Sequence, residues 1–104
     1  MKIEKSTDIS FVNNVLSQLC GQKIEVHRYY PTKSILILEF KYNYERWYIN
    51  LLGCAQIQFC GPCWLISEAG IKIQKCNEDY YVLNQDNAIN LYFEDLSLLK
   101  EPLV

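Results

Sequence analysis

Ile35-Leu36-Ile37-Leu38-Glu39-Phe40, a break at Asn43, and then Arg46-Trp47-Tyr48-Ile49-Asn50-Leu51-Leu52 decide how this chain of 104 residues folds. The first run is apolar almost throughout and fits a central strand. The second alternates, with Trp47, Ile49 and Leu51 on one face and Tyr48, Asn50 and Leu52 on the other. Two such runs joined by a turn residue read as antiparallel neighbours.

Working outward, the same grammar repeats. Upstream, Ile24-Glu25-Val26-His27-Arg28-Tyr29 alternates until Pro31-Thr32-Lys33 interrupts it. Downstream of Gly53, Ala55, Ile57 and Phe59 alternate with Gln56 and Gln58, up to a Gly-Pro break. Trp64–Ile66, Ile71–Gln74, Tyr80–Leu83 and Ala88–Phe93 follow, separated by Gly70, Asn77-Glu78-Asp79 and Gln85-Asp86-Asn87. In the last of these, Ile89, Leu91 and Phe93 should face in, and Asn90, Tyr92 and Glu94 out. Only Asp8–Cys20 has helical spacing, with Ile9, Val12, Val15, Leu16 and Leu19 on one face. Thr7 or Asp8 can supply its N-cap oxygen, and Gly21 suits the position past its end. No helical segment separates the strands, so parallel crossovers are not expected. The expected fold is therefore α+β: one N-terminal amphipathic helix on a curved antiparallel meander sheet of six to eight strands, curved enough to close in part into a barrel.

Residues 1–104 read as one domain, since a chain of this length supports a single core. Half of it is apolar and 21% is charged, which is globular composition rather than that of a disordered chain. A net charge of -2 removes the broad cationic field on which sequence-independent nucleic-acid binding relies, so nucleic acid is not an expected partner. Met1-Lys2-Ile3-Glu4-Lys5-Ser6 has no apolar core of a secretory signal. The longest uncharged apolar stretch, Ile35–Leu38, is far short of a membrane span. The five cysteines, at positions 20, 54, 60, 63 and 76, are odd in number and irregular in spacing. Free thiols in a cytoplasmic protein are the expectation.

Two of these cysteines form Cys60-Gly61-Pro62-Cys63. Thiols two residues apart can exchange disulfides or share a metal. The motif resembles the active site of the thioredoxin family letter for letter, and the chain length is similar. That resemblance covers these four residues and implies a redox role for Cys60 and Cys63. The surroundings depart from the family pattern. Phe59 stands where that family has Trp, Trp64 follows the motif, and the downstream Ile-Pro or Thr-Pro pair that supplies a cis-proline is missing. A short helix from Pro62 to Ala69 is conceivable, but Trp64-Leu65-Ile66 leans towards strand. For a metal, Cys54, Cys76 and His27 are the further candidates. If residues 54–60 form one strand, its terminal sulfurs stand roughly 20 Å apart, too far to share one zinc. No cofactor or metal is therefore expected. The simpler reading has Gly-Pro breaking a strand and the cysteines packing as small apolar residues.

The eight tyrosines cluster, at His27-Arg28-Tyr29-Tyr30 and at Lys41-Tyr42-Asn43-Tyr44-Glu45-Arg46-Trp47-Tyr48. Tyrosine and arginine are over-represented where proteins meet partners; tyrosines also coat the outer faces of sheets. His27 has no nucleophile near it in sequence. Glu78-Asp79 and Glu94-Asp95 are adjacent pairs that a strand would point in opposite directions, and the four glycines stand singly, with no phosphate loop among them. The reading that follows is a small non-enzymatic protein-binding module, of inhibitor or immunity type. Its contacts would be Arg28, Tyr29, Tyr30, Tyr42, Tyr44, Arg46, Trp47 and Tyr48. A thiol or metal protein centred on Cys60 and Cys63, and a structural homodimer, are the competing readings.

Overall fold

A computed structural model describes residues 4–6, 8–54, 56–58, 62–86 and 89–102, with the backbone alone for 4–6 and 56–58. The elements run β1 (Glu4–Ser6), α1 (Ile9–Leu16), β2 (Lys23–Tyr30), β3 (Ile35–Tyr42), β4 (Glu45–Leu52), β5 (Gln56–Gln58), β6 (Cys63–Leu65), β7 (Lys72–Lys75), β8 (Tyr81–Gln85), β9 (Ile89–Phe93) and β10 (Asp95–Pro102). Every described strand pairing is antiparallel. The α+β expectation holds at that level and needs correcting in its detail.

There are two sheets where one was expected, and neither closes on itself. A six-stranded sheet has the order β1-β10-β4-β3-β2-β6, and a four-stranded sheet the order β5-β9-β8-β7. Each contains a three-strand meander, β2-β3-β4 and β7-β8-β9. The chain crosses between sheets four times, after β4, β5, β6 and β9, and those crossings break the single meander. Gly53 makes the first possible. Its φ is +67°, and a Cβ there would stand 2.6 Å from Glu94 Oε2, so glycine alone combines the conformation with the close approach. The corner is tied by Cys54 N–H donating to the Ser34 carbonyl and Glu94 N–H to the Leu52 carbonyl, each at 2.8 Å.

The core lies between the inward faces of the two sheets and α1. Along β4 Trp47, Ile49 and Leu51 are buried, and along β9 Ile89, Leu91 and Phe93, as the alternation predicts; along β3, whose run is apolar almost throughout, the buried side chains are Leu36, Leu38 and Phe40. β10 was not anticipated, although Leu96 and Leu98 give it the same inward period.

The helix is preceded by a strand and is shorter than Asp8–Cys20. Asp8 caps it, its Oδ1 accepting from Ser10 N–H at 2.9 Å and Phe11 N–H at 3.4 Å. It ends at Leu16 because Gln18 and Leu19 bond to Val15 and Leu16, three residues back, which tightens the last turn. Leu19 remains fully buried, so the apolar face outlasts the helix. Asn13, off that apolar face, grips the edge strand of the smaller sheet. Its Nδ2 donates to the Ile73 carbonyl and its Oδ1 accepts from Ile73 N–H, both at 2.8 Å. An exposed strand edge invites foreign pairing, and this side chain closes it at one residue. No helix among the described residues is long and apolar enough to cross a membrane.

Candidate functional site

β3 and β4 form a hairpin whose last pair is Tyr42↔Glu45, leaving Asn43 and Tyr44 as a two-residue loop. Both have positive φ, 54° and 63°, the signature of a type I′ turn, in which Asn-Gly is the favoured pair. Tyrosine at the second position holds its Cβ against the left-handed backbone, at a cost of roughly 1–2 kcal/mol. Tyr44 nevertheless stands 89% exposed at the tip. The residues beneath it are anchored. Tyr42 O–H donates to Gln18 Oε1, Trp47 Nε1 donates to the Tyr42 carbonyl at 3.1 Å, and the Tyr42 and Trp47 rings meet edge to face at 6.0 Å. Gln22, Lys41, Tyr42, Asn43 and Tyr44 together line an open recess on this tip.

Behind the tip, the face of the larger sheet turned away from the core carries a row of polar side chains across four strands. His27 on β2 places Nδ1 3.0 Å from Glu39 Oε1 on β3, and Glu39 Oε2 lies 3.4 Å from Arg46 Nε on β4. Arg46 reaches Glu101 on β10 at 4.0 Å, and Tyr48 O–H donates to the same Glu101 oxygen at 3.2 Å. His27 gets there through a β-bulge: the β2–β3 register slips between Val26 and Arg28, leaving His27 unpaired. Burial raises the pKa of the Tyr48 phenol, and the adjacent Tyr48 side chain raises that of Arg46. His27, Glu39, Arg46, Tyr48 and Glu101 hold one another in a cross-strand network.

Of the residues expected to form one contact surface, the structure divides the set. Tyr42 and Tyr44 are at the hairpin tip. Arg28, Tyr29 and Tyr30 are at the far end of the sheet, because Tyr30 pairs with Ile35, and Tyr42 lies about 23 Å further along β3 at 3.3 Å per residue. There Tyr29 is 45% exposed, since β6 covers β2 only from Lys23 to Glu25. Arg28 Nη1 donates to Tyr30 O–H at 3.4 Å, and Lys33 lies 6.0 Å over the Tyr30 ring. Arg46 and Tyr48 belong to the half-buried row between the two ends. Trp47 is core, at 3% exposure, stacked on Phe40 and overlain by Lys100. Alternation had already put Trp47 on the face of Ile49 and Leu51; composition alone made it a contact candidate.

Sequence reasoning passed over Glu39 and Glu101, which organise the charged row, and Phe11, which is 41% exposed beside Trp47. Charge alternation across β3, β4 and β10 could have flagged the first two only with the pairing already known.

The thiol motif is split by what can be described. Cys60 and Gly61 lie outside the described residues, as do Ala55 and Phe59 of the strand read there. Pro62 and Cys63 are exposed, and Cys63 opens the strand β6, pairing with Glu25, where a helix had been conceivable. Cys54 is buried, and burial pushes its thiol up to about 11. Among the described residues no three potential metal ligands come together. No protein-family model, curated protein or solved structure matches the chain.

Proposed function

We infer that this chain is a small cytoplasmic protein-binding module that does no chemistry and works by presenting the β3–β4 hairpin tip to a protein partner, as an inhibitor or immunity-type protein would. The observation that carries the reading is Tyr44, an aromatic side chain almost wholly in water on a backbone conformation that favours glycine. Strained conformations persist where the surroundings over-determine them, and they cluster at binding and switch positions. The two eight-residue strands behind the tip, with the Trp47 and Gln18 contacts of Tyr42, hold the tyrosines in place before any partner arrives. Preorganisation of this kind reduces the ordering cost of association. Arg28, Tyr29 and Tyr30 would act as a second, separate contact at the opposite end of the sheet.

The test is site-specific photocrosslinking in the producing cell, with benzoylphenylalanine at position 44 and, as a control, at the exposed position 79. A discrete adduct formed only from position 44, and lost when Tyr42 is changed to Ala, supports the reading and identifies the partner by mass. An adduct of twice the chain's own mass would assign that partner as a second copy. Equal or no adducts from the two positions would refute the hairpin tip as a contact.

A further inference from the structure

Edge strand β7 carries a hydrogen-bonding slot that the hairpin tip does not use. Along a strand, successive residues turn their main-chain N–H and C=O groups alternately to one neighbour and to the other. Ile73 faces away from β8, because both its groups meet Asn13. Cys76 N–H faces the β8 side, donating to the Tyr80 carbonyl, which is the opposite phase, as it should be. Ile71 shares the phase of Ile73. Ile71 and Ile73 are buried while Lys72 and Gln74 are exposed, so the extended alternation runs through position 71. Neither the N–H nor the C=O of Ile71 has a hydrogen-bond partner among the described residues. At 3.3 Å per residue, this open pair stands about 7 Å from the pair that Asn13 fills.

The open pair faces a groove of about 410 Å³ between Asn13, Ser17 and Cys20 on the helix side and residues 68–74 on the other. That volume lies in the range of roughly 300–1,000 Å³ typical of ligand sites. Nothing stands within 4 Å of where a Cβ on Gly70 would be, so access beside Ile71 is clear. Glu68 and Lys72 line the groove on either side of Ile71 in sequence, and neither has an ion-pair partner among the described residues.

We propose that this groove is a strand-addition site for a short extended segment of another protein. One residue of that segment pairs its N–H and C=O with Ile71, with a basic side chain beside Glu68 and an acidic one beside Lys72. Asn13 is the internal precedent, since its carboxamide satisfies Ile73 as a peptide group would satisfy Ile71. Main-chain pairing supplies affinity in such additions, and flanking side chains supply selectivity. These two charges, unpaired among the described residues, select a segment of mixed sign over a second copy of β7, which has Lys72 and Lys75 and no acid. The site shares no residue with the hairpin tip, so either can fail alone.

Cys20 provides the test, because it is an exposed free thiol in the groove, while Cys63 and Cys76 are exposed free thiols elsewhere. The probe is acetyl-Asp-Ala-Lys 2-mercaptoethylamide, as its mixed disulfide with 2-mercaptoethanol. In the antiparallel pairing that exchanges both bonds with Ile71, this order sets Asp beside Lys72 and brings Lys and the thiol to the Glu68 end, where Gly21 N–H bonds to the Ile66 carbonyl next to Cys20. Attack by a cysteine thiolate joins the peptide and releases 2-mercaptoethanol, and excess 2-mercaptoethanol keeps the exchange at equilibrium. A second probe replaces the Ala amide with the lactic-acid ester, removing one N–H. With the intact protein, the amide probe is expected at Cys20 about tenfold over Cys63 and Cys76, with Ile71 amide exchange slowed by a similar factor and both effects lost with the ester. Equal capture at the three thiols, capture at Cys20 that the ester retains, or capture without slower exchange at Ile71 would each overturn the proposal.

Discussion

Replacing Asn13 with alanine should loosen the joint between α1 and the smaller sheet, and the structure sets the size of the effect. Two part-buried hydrogen bonds of 2.8 Å disappear, and the Ile73 N–H and C=O beneath the helix are left to find water. At roughly 1 kcal/mol net for each bond, the direct loss is about 2 kcal/mol. Alanine is the better helix former by about 0.5 kcal/mol, which offsets part of it. Asn14, also on α1 and exposed, provides the control. Asn14→Ala gains the same propensity and loses no bond made by the side chain, so it should stabilise slightly. The difference between the two variants then isolates the Ile73 contact at about 2 kcal/mol. In a domain of this size that separates their Tm values by roughly 10 °C. Urea denaturation gives the energies, with unchanged m-values showing that the folded and unfolded states are comparable. Amide exchange should accelerate at Ile73 in Asn13→Ala and stay unchanged in Asn14→Ala. If the variants differ by less than about 0.5 kcal/mol, the ordinary scatter for surface substitutions, and Ile73 exchanges as before, the two-bond clamp is not holding the edge.

Tyr44→Gly should raise stability by about 1 kcal/mol in urea denaturation, because glycine accepts φ +63° without the Cβ clash. Equal or lower stability would show that the tyrosine makes compensating contacts. Gly53→Ala should cost about 1–3 kcal/mol by the same assay, since a Cβ at φ +67° meets Glu94 Cγ at 2.7 Å; a neutral result would mean that the corner between the sheets is pliable. Cys54 should resist a thiol reagent in the native protein at neutral pH while Cys20, Cys63 and Cys76 react, and should become reactive on unfolding. Its thiol is raised from 9.0 to about 11, so the folded state holds this proton more tightly. The associated stability is present below pH 9 and is lost as pH rises towards 11, a loss on the order of 2 kcal/mol that Cys54→Ala should remove from the pH profile.

Local periodicity decided much of this protein. The inward faces of β4 and β9 follow directly from two-residue alternation, and α1 from its apolar spacing and the Asp8 cap, because burial of one face depends only on which residues point together. Where that signal was thin the reading failed. Asp95-Leu96-Ser97-Leu98-Leu99-Lys100 carries only two clean inward leucines, and β10 was missed although it pairs with β4 along its whole length. Tertiary structure alone decided what lies side by side. The order of the strands, the division into two sheets at Gly53 and Glu94, and the joining of His27, Glu39, Arg46 and Glu101 into one row all depend on contacts between residues distant in sequence. The same holds for the candidate sites. That Asn43 and Tyr44 mark a turn is written in the residues around them, whereas the separation of Tyr29 from Tyr44, the burial of Trp47 and the open Ile71 pair beside α1 are set by register and packing. Alternation says which way a side chain faces; only pairing and packing determine which strand, helix or solvent it meets there.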